Sequence, residues 1–438
     1  MTRIHATSHR RLPPAKLLDR LTRRLVIQKL GHLRRGQLII RDQIGQQSLG
    51  DSPELTVELQ VHNSRFYRHA VLGGTLSVAE SYLNGDWDCD QLTDFFRIFI
   101  RNTDAANRLD HAFAWLIGWG NRWYHRWHAN TRQGSKQNIH AHYDLGNDFF
   151  RLWLDETMAY SCGIFPTADA SLYDASVEKF DRVCRRLKLN PHDEVLEIGT
   201  GWGGFALHAA GQYGCSVTTT TISAAQYEIA RDRVQEADLS SRIKLLQSDY
   251  RDLNGQYDKL VSIEMIEAVG HQFLDDYFRK CSELLKPDGS LMIQAILMPE
   301  SRYASYLKSV DFIQRYVFPG GCLPSLGAIL ESVARTGDLR LVHAEDYAPH
   351  YAETLRRWRQ TFLERQDEVL ELGYPERLLR LWNYYLCYCE AVFEERHISL
   401  LQIQFDKPLC RRDALSNLPF SNLSETCSLS QPMPEATL

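Results

Sequence analysis

The ten residues Val195–Gly204, VLEIGTGWGG, constrain the fold of this chain more than any other stretch. An apolar run carrying one acid (Val195, Leu196, Glu197, Ile198) flows into a glycine turn at Gly199, Gly201, Gly203 and Gly204. A helical pattern of Phe205, Ala206, Leu207, Ala209 and Ala210 follows. The order is strand, tight turn, helix. Glycines at such a junction let the backbone turn sharply and let a ligand approach the main chain closely. On its own, a G-x-G-x-G pattern marks many nucleotide-type sites and some plain turns, so the next strand has to narrow the choice.

A dinucleotide site carries an acid about 20 residues beyond the first glycine, where it holds the ribose hydroxyls. Here that position falls at the end of Cys215–Ile222, CSVTTTTI, which has no acid; Ser223, Ala224, Ala225 and Gln226 then open a helix. Glu197 and the hydroxyl-rich end, Thr221 and Ser223, are left to meet a smaller adenosine cofactor. Lys259–Ile263 reads as a buried strand, and LLKPDG (Leu284–Gly289) as the Pro/Gly end of a helix before another strand, Ser290–Leu297. Strands alternating with helices give an α/β fold with a parallel sheet, and the order fits a class I, Rossmann-like S-adenosylmethionine-dependent methyltransferase.

A length of 438 residues suits two or three domains. Residues 1–35 read as a basic arm with a helical stretch, and 36–130 as an added, smaller α+β N-terminal domain that docks on lipid. Residues 131–138, TRQGSKQN, read as a polar linker, 139–410 as the catalytic domain, and 411–438 as a disordered tail rich in Ser, Pro and Leu. Within the smaller domain, Leu38–Arg41, Leu55–Val61 and Ala70–Leu72 look strand-like, Gly73-Gly74 a turn, Ser77–Leu83 a short helix and 91–130 helix. In the larger one, 301–350 reads as an insertion with a loop at Tyr316–Ser325, and 351–402 as aromatic-rich helix.

The net charge of −5 hides an asymmetry. Residues 1–35 hold ten Lys/Arg against Asp19 alone, a balance of +9 that leaves −14 on the rest. Such a leader binds anionic lipid headgroups at roughly 1 kcal/mol per charge, binds nucleic acid, or is simply a solvated face. Trp115, Trp119, Trp123 and Trp127 recur every four residues among Arg122, His125, Arg126 and His128. On a helix they share a slowly drifting face, suited to a membrane interface or to packing against a neighbouring domain. Ten cysteines without metal-type spacing point to no metal site and to a reducing, cytoplasmic setting. The chain has no run of ~20 apolar residues, so no transmembrane helix is expected.

YDLGNDFF (Tyr143–Phe150), MAYSCGIF (Met158–Phe165), the glycine loop, TISAAQ (Thr221–Gln226), SIEMIEAVG (Ser262–Gly270) and YVFPGGCLPS (Tyr316–Ser325) together resemble the cyclopropane-fatty-acyl-phospholipid synthases and their relatives, the mycolic-acid cyclopropane synthases. The resemblance runs from Gly36 to Lys407 and takes in Phe66-Tyr67, Gly73-Gly74 and AESYLNGDWD (Ala79–Asp88). It implies transfer of a methylene from S-adenosylmethionine to a cis double bond in an acyl chain of a membrane phospholipid. The ring closes through a carbocation deprotonated by a bound bicarbonate ion. The resemblance also implies a homodimer, working in the cytoplasm at the inner face of the membrane.

By position, Cys162 (in YSC), Glu267 (in MIEAVG), Tyr351 (in HYAETL) and the backbone N–H of Ile296 match the family's bicarbonate holders. The fifth holder departs: Gln294, in MIQAIL, stands where many members have His. An amide donates to the ion but relays no proton. Glu264 is a second departure, where many relatives have Gly, and reads as an acid that orders its loop. Taken alone, Cys162 is a small core residue and Tyr351 a packing residue at a helix start. Cys389, in YYLCYCEAVF, matches a family cysteine sometimes given a reactive role, yet on a helix rich in Tyr, Leu and Phe it reads as a packing thiol. For the cofactor, the resemblance points to Tyr160, Ser161, Gly199, Thr200, Gly201, Thr221, Ile222, Ser223, Gln226, Asp249, Tyr250 and Ile263. Asp249 suits either the adenine amino group or a strand-end turn.

Three other readings compete. A methyltransferase with the same start and another ending would give a methyl-branched or methylene acyl chain, and Gln294 keeps that open. A lipid-surface protein without catalysis is opposed by the intact glycine loop with Cys162, Glu267 and Tyr351. A nucleic-acid methyltransferase is opposed by the lack of an N/D-P-P-Y-type motif and by the acidic balance beyond the arm.

Overall fold

The computed structural model describes residues 17–102 and 145–411. The tryptophan face at 115–127, the linker at 131–138 and the tail after Arg411 lie outside the described residues.

The first unit comprises α1 (Leu17–Leu30), β1 (Gln37–Arg41), β2 (Gln46–Leu49), β3 (Thr56–Val61), α2 (Arg65–Leu72), α3 (Gly74–Leu83), β4 (Trp87–Cys89) and α4 (Leu92–Arg101). Its sheet has the order β2-β1-β3-β4, with β1 and β3 parallel. Val57, Leu59 and Val61 alternate inward along β3, the period-2 pattern of a half-buried strand. Ala70–Leu72, expected to be strand-like, is instead the last turn of α2. Phe66, Tyr67 and Ala70 are its buried residues, and that i, i+4 spacing outweighs the short apolar run. Gly73-Gly74 is a break between two helices: Gly74, at φ +61°, opens α3. The helix expected over 91–130 is present as α4 as far as Arg101.

The larger unit begins with α5 (Gly146–Arg151), α6 (Leu172–Leu187), β5 (Glu194–Ile198), α7 (Gly204–Tyr213), β6 (Ser216–Thr221), α8 (Ala224–Glu236), β7 (Ile243–Gln247), β8 (Tyr257–Ile263), α9 (Leu274–Glu283) and β9 (Leu285–Leu297). It ends with α10 (Glu300–Tyr306), α11 (Phe312–Tyr316), α12 (Leu326–Thr336), β10 (Arg340–Asp346), α13 (Ala348–Glu364), α14 (Gln366–Glu371), α15 (Glu376–Glu394) and β11 (Ser399–Asp406). The sheet order is β10-β11-β9-β8-β5-β6-β7. β9, β8, β5, β6 and β7 are parallel, as a class I methyltransferase requires, and β11 runs antiparallel to both its neighbours.

Three expectations need correction here. The LLKPDG segment is not a turn between helix and strand: α9 stops at Glu283, and β9 runs through Pro287–Gly289 with a shift in its register against β8. Residues 301–350 are not wholly an insertion, because β10 is the edge strand and α12 packs on α9, where Ser332 Oγ donates to Asp275 at 2.7 Å. The helical stretch over 351–402 gives way at Ser399 to β11, which pairs with β9 along its whole length.

The units share one apolar core that runs from Val26 and Leu59 to Trp358 and Trp382. α4 lies on α15: the Phe96 ring meets Tyr384 edge to face at 4.8 Å. Glu395 accepts from Arg97 Nε at 2.7 Å and Arg101 Nε at 2.8 Å, and Arg380 Nη2 donates to Asp88 at 2.7 Å. Among the described residues, no helix is long and apolar enough to cross a membrane.

Candidate active site

β5 lies where the strand order reverses, between β6 and β8. In open α/β sheets this crevice beyond the carboxyl ends of the strands is where ligands bind. Gly199, Gly201 and Gly203 follow β5 with φ of +104°, +53° and +89°, values that favour glycine. A Cβ on Gly201 would meet nothing within 4 Å, so the turn opens onto free space. Beneath it, Thr200 Oγ1 donates to Thr219 Oγ1 at 2.7 Å, and Thr219 Oγ1 donates to Glu197 Oε2 at 2.6 Å. Burial raises the Glu197 carboxyl to about 8. It lines a cavity of about 880 Å³ together with Gly199, Thr200 and Gly201.

At the end of β6, Thr221 Oγ1 donates to Gln226 Oε1 at 3.0 Å. Thr221, Ile222 and Gln226 line the same cavity. Ser223 does not: its Oγ accepts from the Gln226 N–H at 3.3 Å as the N-cap of α8, so the structure gives this hydroxyl to the helix rather than to the cavity wall. Asp249 and Tyr250, after β7, and Ile263, at the end of β8, complete this side. Arg251 donates to the Asp249 carboxylate through Nε at 2.9 Å and Nη2 at 2.6 Å. Tyr160 and Ser161 also line the cavity; the Tyr160 and Tyr385 hydroxyls are 2.9 Å apart, and Ser161 Oγ accepts from Lys179 Nζ at 2.7 Å. Open glycine backbone, a buried acid, hydroxyls, an amide and the Tyr250 ring fit an adenosyl group with an amino-acid tail.

Immediately after β8 the chain becomes strained. Glu264 has φ +46°, a left-handed conformation that costs a non-glycine residue about 1–2 kcal/mol. Its carboxylate is gathered by donors from three elements. Glu264 Oε1 accepts from the Cys162 N–H at 2.9 Å and from Gln294 Nε2 at 2.8 Å; Oε2 accepts from the Tyr351 hydroxyl at 2.6 Å. The Glu264 N–H donates to the Gln294 carbonyl at 2.8 Å. On β11, Gln402 Nε2 donates to Gln294 Oε1 at 3.0 Å, which turns the other end of the Gln294 amide toward Glu264. Burial raises the Glu264 carboxyl above the ordinary range, opposed by these hydrogen bonds and by buried Lys179.

Glu267 sits beside this cluster, its Oε1 accepting from the Ile296 N–H at 2.6 Å. Its Oε2 is buried and makes no hydrogen bond among the described residues. Burial, and next the Glu264 charge, push this carboxyl up to about 8. Of the five positions that the resemblance assigns to bicarbonate, Cys162, Gln294 and Tyr351 therefore bond to Glu264, while Ile296 and Glu267 bond to each other. Cys162 joins through its backbone alone, because its thiol donates to the Gly163 carbonyl at 3.0 Å. Cys389 lies on α15 in the cavity wall, apart from these bonds, and burial raises its thiol well above the ordinary range. A neutral thiol is a poor nucleophile, which favours packing for both cysteines.

The cavity continues beyond the carboxylates into the first unit. Phe95, Phe96 and Phe99 of α4 line it, as do Val26 and Leu30 of α1, Leu38 and Leu59 of the small sheet, and Phe66 and Ala70 of α2. An apolar channel therefore opens into the same space as the glycine turn.

The sequence reading passed over Lys179 and Gln402. Lys179 is fully buried on α6 with Ala175, Ser176, Phe180 and Val183. A lysine on the inward face of an amphipathic helix was the available signal. Gln402 and Gln404 hold inward positions of a strand that otherwise alternates apolar residues.

The family profile described as mycolic acid cyclopropane synthetase matches residues 130–403. The chain is similar to the tuberculostearic acid methyltransferase UfaA1 of Mycobacterium tuberculosis, 39% identical over 345 residues that cover 77% of this chain and 79% of that one. It is also similar to the cyclopropane-fatty-acyl-phospholipid synthase of Escherichia coli strain K12, 35% identical over 350 residues, 80% of this chain and 88% of that one. Among solved structures it matches the cyclopropane synthase MmaA2 from Mycobacterium tuberculosis with a TM-score of 0.58 and 30% identity, over 62% of this chain and 98% of that one. The mycolic acid cyclopropane synthase CmaA1, complexed with SAH and CTAB, matches with a TM-score of 0.58 and 29% identity, over 62% and 98% of the two chains.

Proposed function

The chain belongs to the mycolic acid cyclopropane synthetase family of S-adenosylmethionine-dependent methyltransferases, and on that premise we propose that it adds a methylene to the cis double bond of an unsaturated acyl chain in a membrane phospholipid, forming a cyclopropane. One observation carries this reading: a single cavity joins a glycine-wrapped polar end, a pair of buried carboxyls and an apolar channel that reaches the first unit. A polar or charged small substrate would leave that channel unused.

Bound S-adenosylmethionine supplies an electrophilic methyl group on a sulfonium. The residues of the chain do the rest. The glycine turn, Glu197 and the Thr221–Gln226 segment hold the cofactor against the open end of the sheet. Apolar side chains of α1, α2 and α4 hold the acyl chain, so that the alkene is positioned and water is kept from quenching the cation it becomes. The rings of Tyr160, Phe318 and Tyr385, 6.2 Å and 6.1 Å apart in succession, line the cavity and offer π faces to that cation. The test is to incubate the purified protein with S-adenosylmethionine and vesicles of cis-monounsaturated phospholipid, then analyse the fatty acid methyl esters. A gain of one CH2 with loss of olefinic signals and new cyclopropane proton resonances is the expected result. No product, with cofactor bound, would overturn the reading.

A second ending has its own support. Gln294 is locked between Glu264 and Gln402 and relays no proton, and one relative is named a tuberculostearic acid methyltransferase. The same mass gain with a retained alkene signal would identify a methylene-branched product.

We further propose that the protein works at a bilayer surface and docks there through α1. Leu18, Leu21 and Leu25 are 51%, 54% and 45% exposed along one strip of this helix, flanked by exposed Arg20 and Arg24. Leucines beside arginines suit an anionic bilayer. Replacing the three leucines by Gln is expected to reduce binding to anionic phospholipid vesicles by at least tenfold, since burying even one leucine contributes roughly 1.5–3 kcal/mol; unchanged vesicle sedimentation would remove α1 from the interface.

A further inference from the structure

We propose that Glu264 itself is the base of this enzyme, a carboxylate built into the chain where the resemblance places a bicarbonate ion. The inference deepens the function proposed above and rests on it for the identity of the cation.

Four of the five groups assigned to the ion already donate to a carboxyl of this chain, and the fifth, Glu267, is itself such a carboxyl. The Cys162 N–H, Gln294 Nε2 and the Tyr351 hydroxyl all donate to Glu264, and the Ile296 N–H donates to Glu267. An incoming anion would meet the Glu264 and Glu267 carboxyls in the cavity, with those four donors already engaged. Bicarbonate therefore does not fit the residues present.

A planar carboxylate does fit, because it is already there. It has the shape and charge of the ion it replaces, and it is tethered. The left-handed backbone at Glu264 and the bond from its N–H to Gln294 aim the side chain back across the end of β8. Oε1 accepts two hydrogen bonds and Oε2 one, so Oε2 keeps a lone pair. Glu264, Glu267, Ile296 and Tyr351 all line the cavity that the glycine turn and the acyl channel share. Lys179, buried behind Ser161, supplies a compensating positive charge without bonding to the carboxylate. The pairing of Glu264 with Gln294 is chemically coherent: a permanent amide donor holds the base and does not compete with it for the proton.

The step balances without a further reactant. The alkene π pair bonds to the methyl carbon, and the methyl–sulfur pair stays on sulfur. The other alkene carbon is left as a cation. A proton passes from the transferred methyl to Glu264 Oε2, and the freed C–H pair closes the third side of the ring. Glu264 then returns that proton to solvent.

The experiment compares wild type, Glu264→Gln and Glu264→Gly in carbon-dioxide-free buffer and with added bicarbonate. The wild type is expected to turn over at the same rate in both. Glu264→Gln, close in shape but not basic, is expected to lose at least 100-fold in kcat, within the 10²–10⁴ span of a general base, and to gain nothing from bicarbonate because the space is still filled. Glu264→Gly is expected to be equally slow without bicarbonate and to recover with it. A readout independent of turnover accompanies these assays: the ¹³C line width of labelled bicarbonate should broaden with Glu264→Gly and not with wild type. Bicarbonate binding to the wild type, or a wild-type rate that collapses in carbon-dioxide-free buffer, would overturn the proposal. So would near-normal activity of Glu264→Gln. Should the product prove not to be a cyclopropane while the bicarbonate results hold, the function proposed above falls and the tethered base remains.

Discussion

At one end of the cavity the wall is backbone, and at the other it is side chain. Around the cofactor end, Gly199, Gly201 and Gly203 turn with positive φ and expose main chain. At the far end, Val26, Leu38, Leu59, Phe66 and Ala70 form the wall with nothing but aliphatic and aromatic bulk. The first end depends on conformations that few residues adopt, so it admits little change. The second depends on volume, which substitution alters by degrees. A chemistry common to relatives can therefore be held constant while the acyl chain it accepts is tuned.

The sharpest way to break that contrast is Gly199→Val. A Cβ there would lie 3.3 Å from Met265, at a φ of +104°. Backbone strain of about 1–3 kcal/mol predicts a loss of S-adenosylmethionine affinity approaching 100-fold, measured by calorimetry on protein whose circular dichroism is unchanged. Affinity equal to wild type would mean that the glycine turn does not shape that end.

The opposite end should respond more gently. Ala70→Trp fills part of the channel, and the expected outcome is about a tenfold shift in kcat/KM from long toward shorter acyl chains, with cofactor affinity left in place. An equal fall for every chain length would say that the first unit does not contact the acyl tail.

The smallest effect is a pH slope confined to the polar end. Glu197 and Glu267 keep their protons up to about 8 in the folded chain, against 4.5 for an ordinary glutamate. Between those values the folded state binds more protons than the unfolded one, so stability falls as pH rises from about 4.5 through about 8 and levels off beyond. Glu267→Gln removes one of these two groups. Its Tm should decline less steeply across that window than the wild-type Tm, and parallel declines would show that Glu267 is ionised in the fold.

The same division explains what was legible in the sequence. The strand, glycine turn and helix at Val195–Gly204 depend on local residues, so the pattern could be read directly; so could β6 and the helix that opens after Ser223. The far end is joined to the larger unit by residues hundreds of positions apart, such as Glu395 with Arg97 and Arg101, and no local pattern announces such pairs. Ala70–Leu72 misled because three apolar residues carry too little periodicity to separate strand from helix. Residues 301–350 looked like an insertion because β10 is an edge strand, exposed along most of its length. Glu264 was visible as a departure from glycine. What it does was not visible, since its partners come from β9, α13 and the loop before α6, and only the folded chain brings them together.

The left-handed backbone at Glu264 has a consequence in lineage terms. Glycine occupies that conformation without strain, so exchanging the two residues alters what fills the space between Cys162, Gln294 and Tyr351 and leaves the surrounding scaffold undisturbed. Glutamate and glycine codons differ by a single nucleotide. On the proposal that Glu264 is the base, dependence on dissolved inorganic carbon is separated from independence of it by a single residue.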